Sequence, residues 1–207
     1  MSSISIIGTG NMARAIGALA VAGGNTVEVM GRDQSKAADL AKALGSSATT
    51  GEFGAVPAGD IVIVALLYAD VVPVVAKYGD ALAGKVIVDI SNPFNAAADG
   101  LAIPDDTSIA QEVAKAAPAS ASVVKAFNTI FGVVLAQGRP LDVFLAGDDA
   151  RAKAGVAEFI ESLGLRPLDV GGVNMAHWLE GTGLVMMGLA RHGVGNFDFA
   201  LGASVPG

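Results

Sequence analysis

The chain has 207 residues, of which 52% are hydrophobic and only 16% charged, so it can bury a sizeable core and intrinsic disorder is excluded. A net charge of −7 argues against nucleic-acid and anionic-membrane binding, both of which need basic surface. The absence of cysteine excludes disulfides, thiolate catalysis and cysteine-ligated metal.

The opening residues, MSSISIIGTG, carry no basic region and no long apolar stretch, so a cytoplasmic protein without a membrane span is expected. Residues 4–7 read as a buried strand. Met12, Ile16, Leu19 and Ala20 then recur at helical spacing. Residues 27–30 form a second strand, and Ala37, Leu40, Ala41 and Leu44 mark a second helix that Gly45 ends. Ile61-Val62-Ile63-Val64-Ala65 and Val86-Ile87-Val88-Asp89-Ile90 are further strands. Their runs do not alternate with polar residues, which suits a parallel sheet covered on both faces.

The second half repeats the theme. Residues 107–116 are expected to be helical, with Thr107 as the cap and Pro118 as a stop. Residues 122–127 and 141–146 read as strands. Val156, Phe159, Ile160 and Leu163 make a helical stripe, and residues 166–170 read as a last strand. Gly171-Gly172 interrupts the chain before a final apolar helix holding Trp178, Leu179, Val185, Met186 and Leu189. Strand–helix alternation predicts an α/β, doubly wound, mostly parallel Rossmann sheet over residues 1–170. Residues 171–207 form a small helical part, expected to cover the active site or to make a homodimer contact.

Gly8-Thr9-Gly10-Asn11-Met12-Ala13 fits G-x-G-x-x-G/A, between a buried strand and a helix at the first turn of the chain. Gly8 permits the tight turn. Gly10 lets a pyrophosphate approach the backbone. Ala13, with Gly17 one turn on, lets the helix lie close to the sheet. The helix amides then face the phosphates. The second strand ends Val29-Met30-Gly31-Arg32. An arginine there favours NADP over NAD, because it can grip a 2′-phosphate, and Lys36 stands one helical turn further on. Glu28 stands too early in the strand to serve as the ribose-binding acid, and Asp33 reads as a helix cap.

Ligands in such folds sit at the carboxyl ends of the strands. That singles out Ala65-Leu66-Leu67-Tyr68, which can flank a nicotinamide ribose. It also singles out Ser91-Asn92-Pro93-Phe94-Asn95 and Phe127-Asn128-Thr129-Ile130, which offer amides and hydroxyls without charge. Asn92-Pro93 reads equally as a simple turn. Acid–base candidates are few: His177 and His192 near the last helix, Asp89 at a strand end and Lys125 inside a strand. Hydride transfer between two organic cofactors needs little beyond stacking, distance and exclusion of water, whereas ketone reduction needs a proton donor. Neither a catalytic residue nor a metal site is expected.

Taken together, Gly8-Thr9-Gly10-Asn11-Met12, Gly31-Arg32, Val124-Lys125-Ala126-Phe127-Asn128-Thr129-Ile130, Ala146-Gly147-Asp148-Asp149 and Gly164-Leu165-Arg166-Pro167-Leu168-Asp169 resemble the F420-dependent NADP oxidoreductases. The cytosolic oxidoreductase domain of the STEAP metalloreductases is similar too, above all at Asp89-Ile90-Ser91-Asn92 and Lys125-Ala126-Phe127-Asn128-Thr129. The resemblance implies hydride transfer between NADP(H) and the deazaflavin F420, with the two rings stacked between the Rossmann domain and the C-terminal part. It implies that Thr9, Gly10, Asn11, Met12, Arg32 and Lys36 bind NADP, that Leu66 and Leu67 lie along the nicotinamide, and that Asn128 and Thr129 stand where the rings meet. Asn128 follows the metalloreductase-like sequences, which use flavin, so FMN or FAD is the alternative hydride partner. A reductase of a small imine or carbonyl substrate and a non-enzymatic NADP sensor are the remaining alternatives.

Overall fold

A computed structural model describes residues 1–204 of the chain. Eight strands form one sheet: β1 (Ser3–Ile7), β2 (Thr26–Met30), β3 (Ala48–Gly51), β4 (Ile61–Val64), β5 (Val86–Asp89), β6 (Ser122–Lys125), β7 (Asp142–Gly147) and β8 (Arg166–Asp169). Their order is β3-β2-β1-β4-β5-β6-β7-β8. The first six run parallel; β7 pairs antiparallel to β6 and parallel to β8. The helices are α1 (Asn11–Ala22), α2 (Gln34–Leu44), α3 (Tyr68–Tyr78), α4 (Ile109–Ala116), α5 (Gly132–Leu135), α6 (Ala150–Ser162) and α7 (Ala176–Gly188). The fold is α/β, doubly wound and mostly parallel, as expected.

The unbroken apolar runs have a direct cause. In β4, Ile61 and Ile63 join the core beneath α1, α2 and α6, whereas Val62 and Val64 join the opposite core beneath α3 and α4. Successive side chains point to opposite faces, and both faces are dry. Gly17 sets the approach of α1: a Cβ there would stand 2.8 Å from a Leu44 methyl carbon.

Four local differences from the sequence reading have physical reasons. The edge strand β3 has the sequence Ala-Thr-Thr-Gly and no apolar run to mark it. Helix α3 carries Pro73 inside it; the residue is exposed, and its missing amide proton breaks the helical pattern without ending the helix. Helix α4 is capped by Ser108, whose hydroxyl accepts from the Gln111 amide, not by Thr107, whose hydroxyl donates to Glu112 instead. The strand expected over 122–127 stops at Lys125, because Phe127 takes a left-handed backbone (φ 60°) and turns the chain. Among the described residues, no helix is long and apolar enough to cross a membrane.

Candidate functional site

The glycine loop sits where the strand order reverses, between β1 and its neighbours β2 and β4. The Gly8 amide donates to Met30 O, and the Ala65 amide donates to Ile7 O, so the loop is held against both flanking strands. Gly8 has φ 134°, and a Cβ on it would lie 2.2 Å from the Ala65 carbonyl oxygen. No other residue fits that contact. At Gly10 a Cβ would meet nothing within 4 Å, so open space lies before the backbone there. Gly10 is also the N-cap of α1, and no side chain caps the helix. The first-turn amides, at Asn11 and Met12, are therefore left for a ligand, and the helix dipole favours a negative one. These features fit a dinucleotide pyrophosphate.

At the end of β2, Gly31 packs against Thr9; a Cβ there would lie 3.0 Å from the Thr9 methyl carbon. Arg32 projects into solvent with its Nη2 3.0 Å from Asp70 Oδ2, at the start of α3. Lys36 Nζ stands 3.8 Å from the Asp33 carboxylate, which also caps α2 by accepting from the Ser35 and Lys36 amides. Glu28 is bound elsewhere: its carboxylate accepts from Ser5 Oγ at 2.6 Å and the Ala58 amide at 2.8 Å. No carboxylate on β2 is thus free for a ribose, and two cations stand beyond its end.

Ala65, Leu66 and Leu67 follow β4 and lead into α3, with Leu67 as its N-cap and 80% exposed. Asn92 and Pro93 follow β5. Asn128 and Thr129 follow β6, immediately after the left-handed Phe127. The two asparagines lock together. Asn92 Nδ2 donates to Asn128 O, while Asn128 Nδ2 donates to Asn92 Oδ1 and to the Leu179 carbonyl of α7. Backbone carbonyls can only accept, so both amide orientations are settled. Asn128 Oδ1 and Thr129 Oγ1 are buried without any partner among the described residues. Two such groups side by side are unusual in a folded interior and mark a place where a ligand can complete the bonding.

A cavity of about 240 Å³ opens there, lined by Met12, Ile90, Phe94, Phe131, Met186 and Met187 together with Asn92 and Asn128. None of its lining residues is ionisable. Met12 joins it to the glycine loop. Gly183 of α7 closes the far side, where a Cβ would press on Asn92 at 2.9 Å. A larger hollow, about 550 Å³, lies at the opposite end of the strands beside Ser3, Val86 and Ser122. Neither the glycine loop nor Arg32, Lys36, Asn92, Asn128 or Thr129 lines it.

One feature escaped the sequence reading. Lys125, Asp89 and Glu180 are all fully buried. Lys125 Nζ lies 2.8 Å from Asp89 Oδ2 and 2.8 Å from Glu180 Oε1, and also donates to Ser91 O. Asp89 accepts in addition from the Ser91 amide and hydroxyl, and Glu180 from the Ile109 amide. Burial pushes the Glu180 carboxyl above its ordinary pKa, more than Lys125 draws it down. The signal was there: Lys125 is a lone charge in an apolar strand, and Glu180 is the one acid of an apolar helix. Histidine 177 is structural, its Nδ1 lying 2.7 Å from Thr107 O, and His192 is exposed. Trp178 is 65% exposed on α7.

Residues 3–93 match the family described as NADP oxidoreductase, coenzyme F420-dependent. The chain is a relative of the F420-dependent NADP oxidoreductases. It is 32% identical over 181 residues to the metalloreductase STEAP3 of Rattus norvegicus, covering 86% of this chain and 35% of the rat protein. It is 29% identical over 139 residues to the F420-dependent NADP reductase of Methanocaldococcus jannaschii, covering 63% of this chain and 62% of that one. It therefore spans about a third and somewhat under two thirds of the lengths of these two relatives. Among solved structures, a candidate F420-dependent NADP-reductase from Arthrobacter sp. FB24 superposes with a TM-score of 0.84 at 25% identity, covering 98% of this chain and all of that one. Imine reductases, such as that of Streptomyces aurantiacus (TM-score 0.68, 20% identity, 91% and 62% covered), share the fold. The matched family and the superposing fold are both described as those of NADP-dependent oxidoreductases.

Proposed function

We propose that this chain transfers a hydride between NADP(H) and the deazaflavin F420, as a cytoplasmic homodimer. The observation that carries the reading is the uncharged, methionine- and phenylalanine-lined cavity that continues from the glycine loop to Asn92 and Asn128. NADPH supplies the hydride when bound, and the deazaflavin supplies the accepting ring.

The chain's own work is positional. The free amides of α1 hold the pyrophosphate, with Gly8 and Gly10 giving it room and Thr9, Asn11 and Met12 around it. Arg32 and Lys36 receive the 2′-phosphate, and Ala65, Leu66 and Leu67 flank the nicotinamide ribose. Asn92 and Asn128 line the place where the rings meet, and Pro93 and Thr129, next to them in the chain, support it from outside the lining. There an N–H of the nicotinamide carboxamide or of the deazaflavin ring would satisfy the free acceptor of Asn128, which is otherwise buried at a cost. The apolar lining excludes water and holds the rings at reacting distance, which is most of what such a transfer requires. Residues 171–207 serve as a cover over this site, with 205–207 outside the described residues. The exposed Trp178 and Val185 of α7 are the surface a homodimer would use.

Imine or carbonyl reduction fits less well, because a proton must be delivered and no lining residue titrates. Mixing the protein with NADPH and F420 and following the deazaflavin absorbance tests the proposal. Turnover with FMN or FAD but not with F420 would move the assignment to a flavin reductase, in line with the likeness to the metalloreductase. Tight NADP binding with no turnover for any acceptor would point to a sensor.

A further inference from the structure

Lys125 uses all three of its ammonium protons inside the protein: on Asp89, on the Ser91 carbonyl and on Glu180. Two of these acceptors stand next to groups that hold Asn128. Ser91 precedes Asn92, whose Oδ1 accepts from Asn128 Nδ2. Glu180 follows Leu179, whose carbonyl accepts the second proton of the same amide. Lys125 itself lies three residues before Asn128. A single buried ammonium thus ties β5, β6 and α7 to one another around one side chain.

Two buried carboxylates sharing one cation are a poor way to gain stability. A leucine at position 180 would pack α7 on the sheet without the desolvation. An ion pair fixes what apolar packing leaves loose: the register of the helix along the strand ends. Helix α7 also carries Gly183 against Asn92 and Met186 in the cavity wall. A slip along its axis would therefore release the Asn128 amide and reshape the wall together.

We propose that Glu180, through its bond to Lys125, is a positioning residue that sets the Asn128 carboxamide for the acceptor ring. This rests on the hydride-transfer reading only for its kinetic consequence; the geometric role stands apart from it. The deciding measurement is the side-chain amide resonances of Asn128 in a nitrogen–proton correlation spectrum, identified by their loss in N128D. In E180A they are expected to shift and to exchange with water faster, while in E180Q, which keeps an acceptor for Lys125, they stay near the wild-type position. E180L, matched in volume, gives the same answer as E180A where E180A does not fold. Unchanged resonances in folded E180A or E180L would overturn the proposal.

The kinetic arm uses NADPH and F420. E180A is expected to lower kcat by about 10- to 100-fold while leaving KM for NADPH nearly unchanged, with E180Q restoring most of the loss. In an N128A background the same substitution should cost little more, because both act on one contact. An equal loss in that background would overturn the proposal. Absence of wild-type turnover with F420 would sink the hydride-transfer reading, and the amide resonances then decide the positioning role by themselves.

Discussion

The buried triad makes a sharp prediction about stability. In K125M, Asp89 and Glu180 keep their places, fully buried, but lose the cation between them. Asp89 retains its two bonds from Ser91, and Glu180 only its contact with the Ile109 amide. Removing one partner of a buried pair costs about 3–5 kcal/mol, because the remaining charge stays dehydrated. For a chain of this length that lowers Tm by about 6–20 °C. E180Q is the counter-experiment. It leaves the Lys125–Asp89 pair intact and neutral, and places at most one amide awkwardly, so its cost should stay under about 2 kcal/mol. The pH dependence separates the two further. Glu180 holds a proton more readily folded than unfolded, so between its ordinary and its raised pKa the native chain binds more protons and stability falls as pH rises. E180Q, neutral throughout, flattens that slope. K125M recovers part of its deficit as pH falls, since protonating Glu180 relieves part of the buried charge. Urea unfolding followed by circular dichroism at several pH values measures all of this. A K125M cost below about 1 kcal/mol, or an E180Q cost equal to it, would refute the reasoning.

At the nucleotide site, R32A is expected to raise KM for NADPH by about 10- to 150-fold and to leave NADH nearly unaffected, as loss of one charged phosphate contact implies; equal effects on both cofactors would remove Arg32 from the 2′-phosphate. D70N should act in the opposite sense, strengthening NADPH binding by about two- to fivefold in a fluorescence titration, because Asp70 competes for the guanidinium across an exposed pair. G8A should abolish NADPH binding and lower Tm, since φ 134° alone costs an L-residue roughly 1–3 kcal/mol and the new carbon collides with the Ala65 carbonyl. Between β7 and β8, the Arg166 guanidinium holds the Asp142 carboxyl below the usual range. That contribution is present above the unfolded pKa and lost as pH falls through the folded one, so D142N and wild type should converge in stability on acidification.

Much of this molecule was legible from its residues in order. Local signals sufficed wherever one stretch of chain makes both the element and its purpose. The glycine loop, the strands covered on both faces, the helix stop at Gly45 and the Asp33 cap are of that kind, because periodicity and backbone preference act over a few residues. The likeness of the segment around Asn128 to a known family extended the reading to a second site. Elements without an unbroken apolar signal were not legible: β3, Ala-Thr-Thr-Gly, has no apolar run, and Pro73 masks α3.

What only the tertiary structure decided is which distant residues meet. Asp89, Lys125 and Glu180 each look like an isolated charge in an apolar segment; packing α7 across the ends of β5 and β6 makes them one cluster. The same packing turns Asn92 and Asn128 from two turn residues into a mutually bonded pair with a free acceptor in a cavity. It also gives Arg32 a rival in Asp70, 38 positions away. Sequence specifies where charge and amide stand along the chain. Whether each is solvated, paired or left waiting for a ligand depends on what the fold brings against it, and the energy of a buried polar group depends almost wholly on that neighbour.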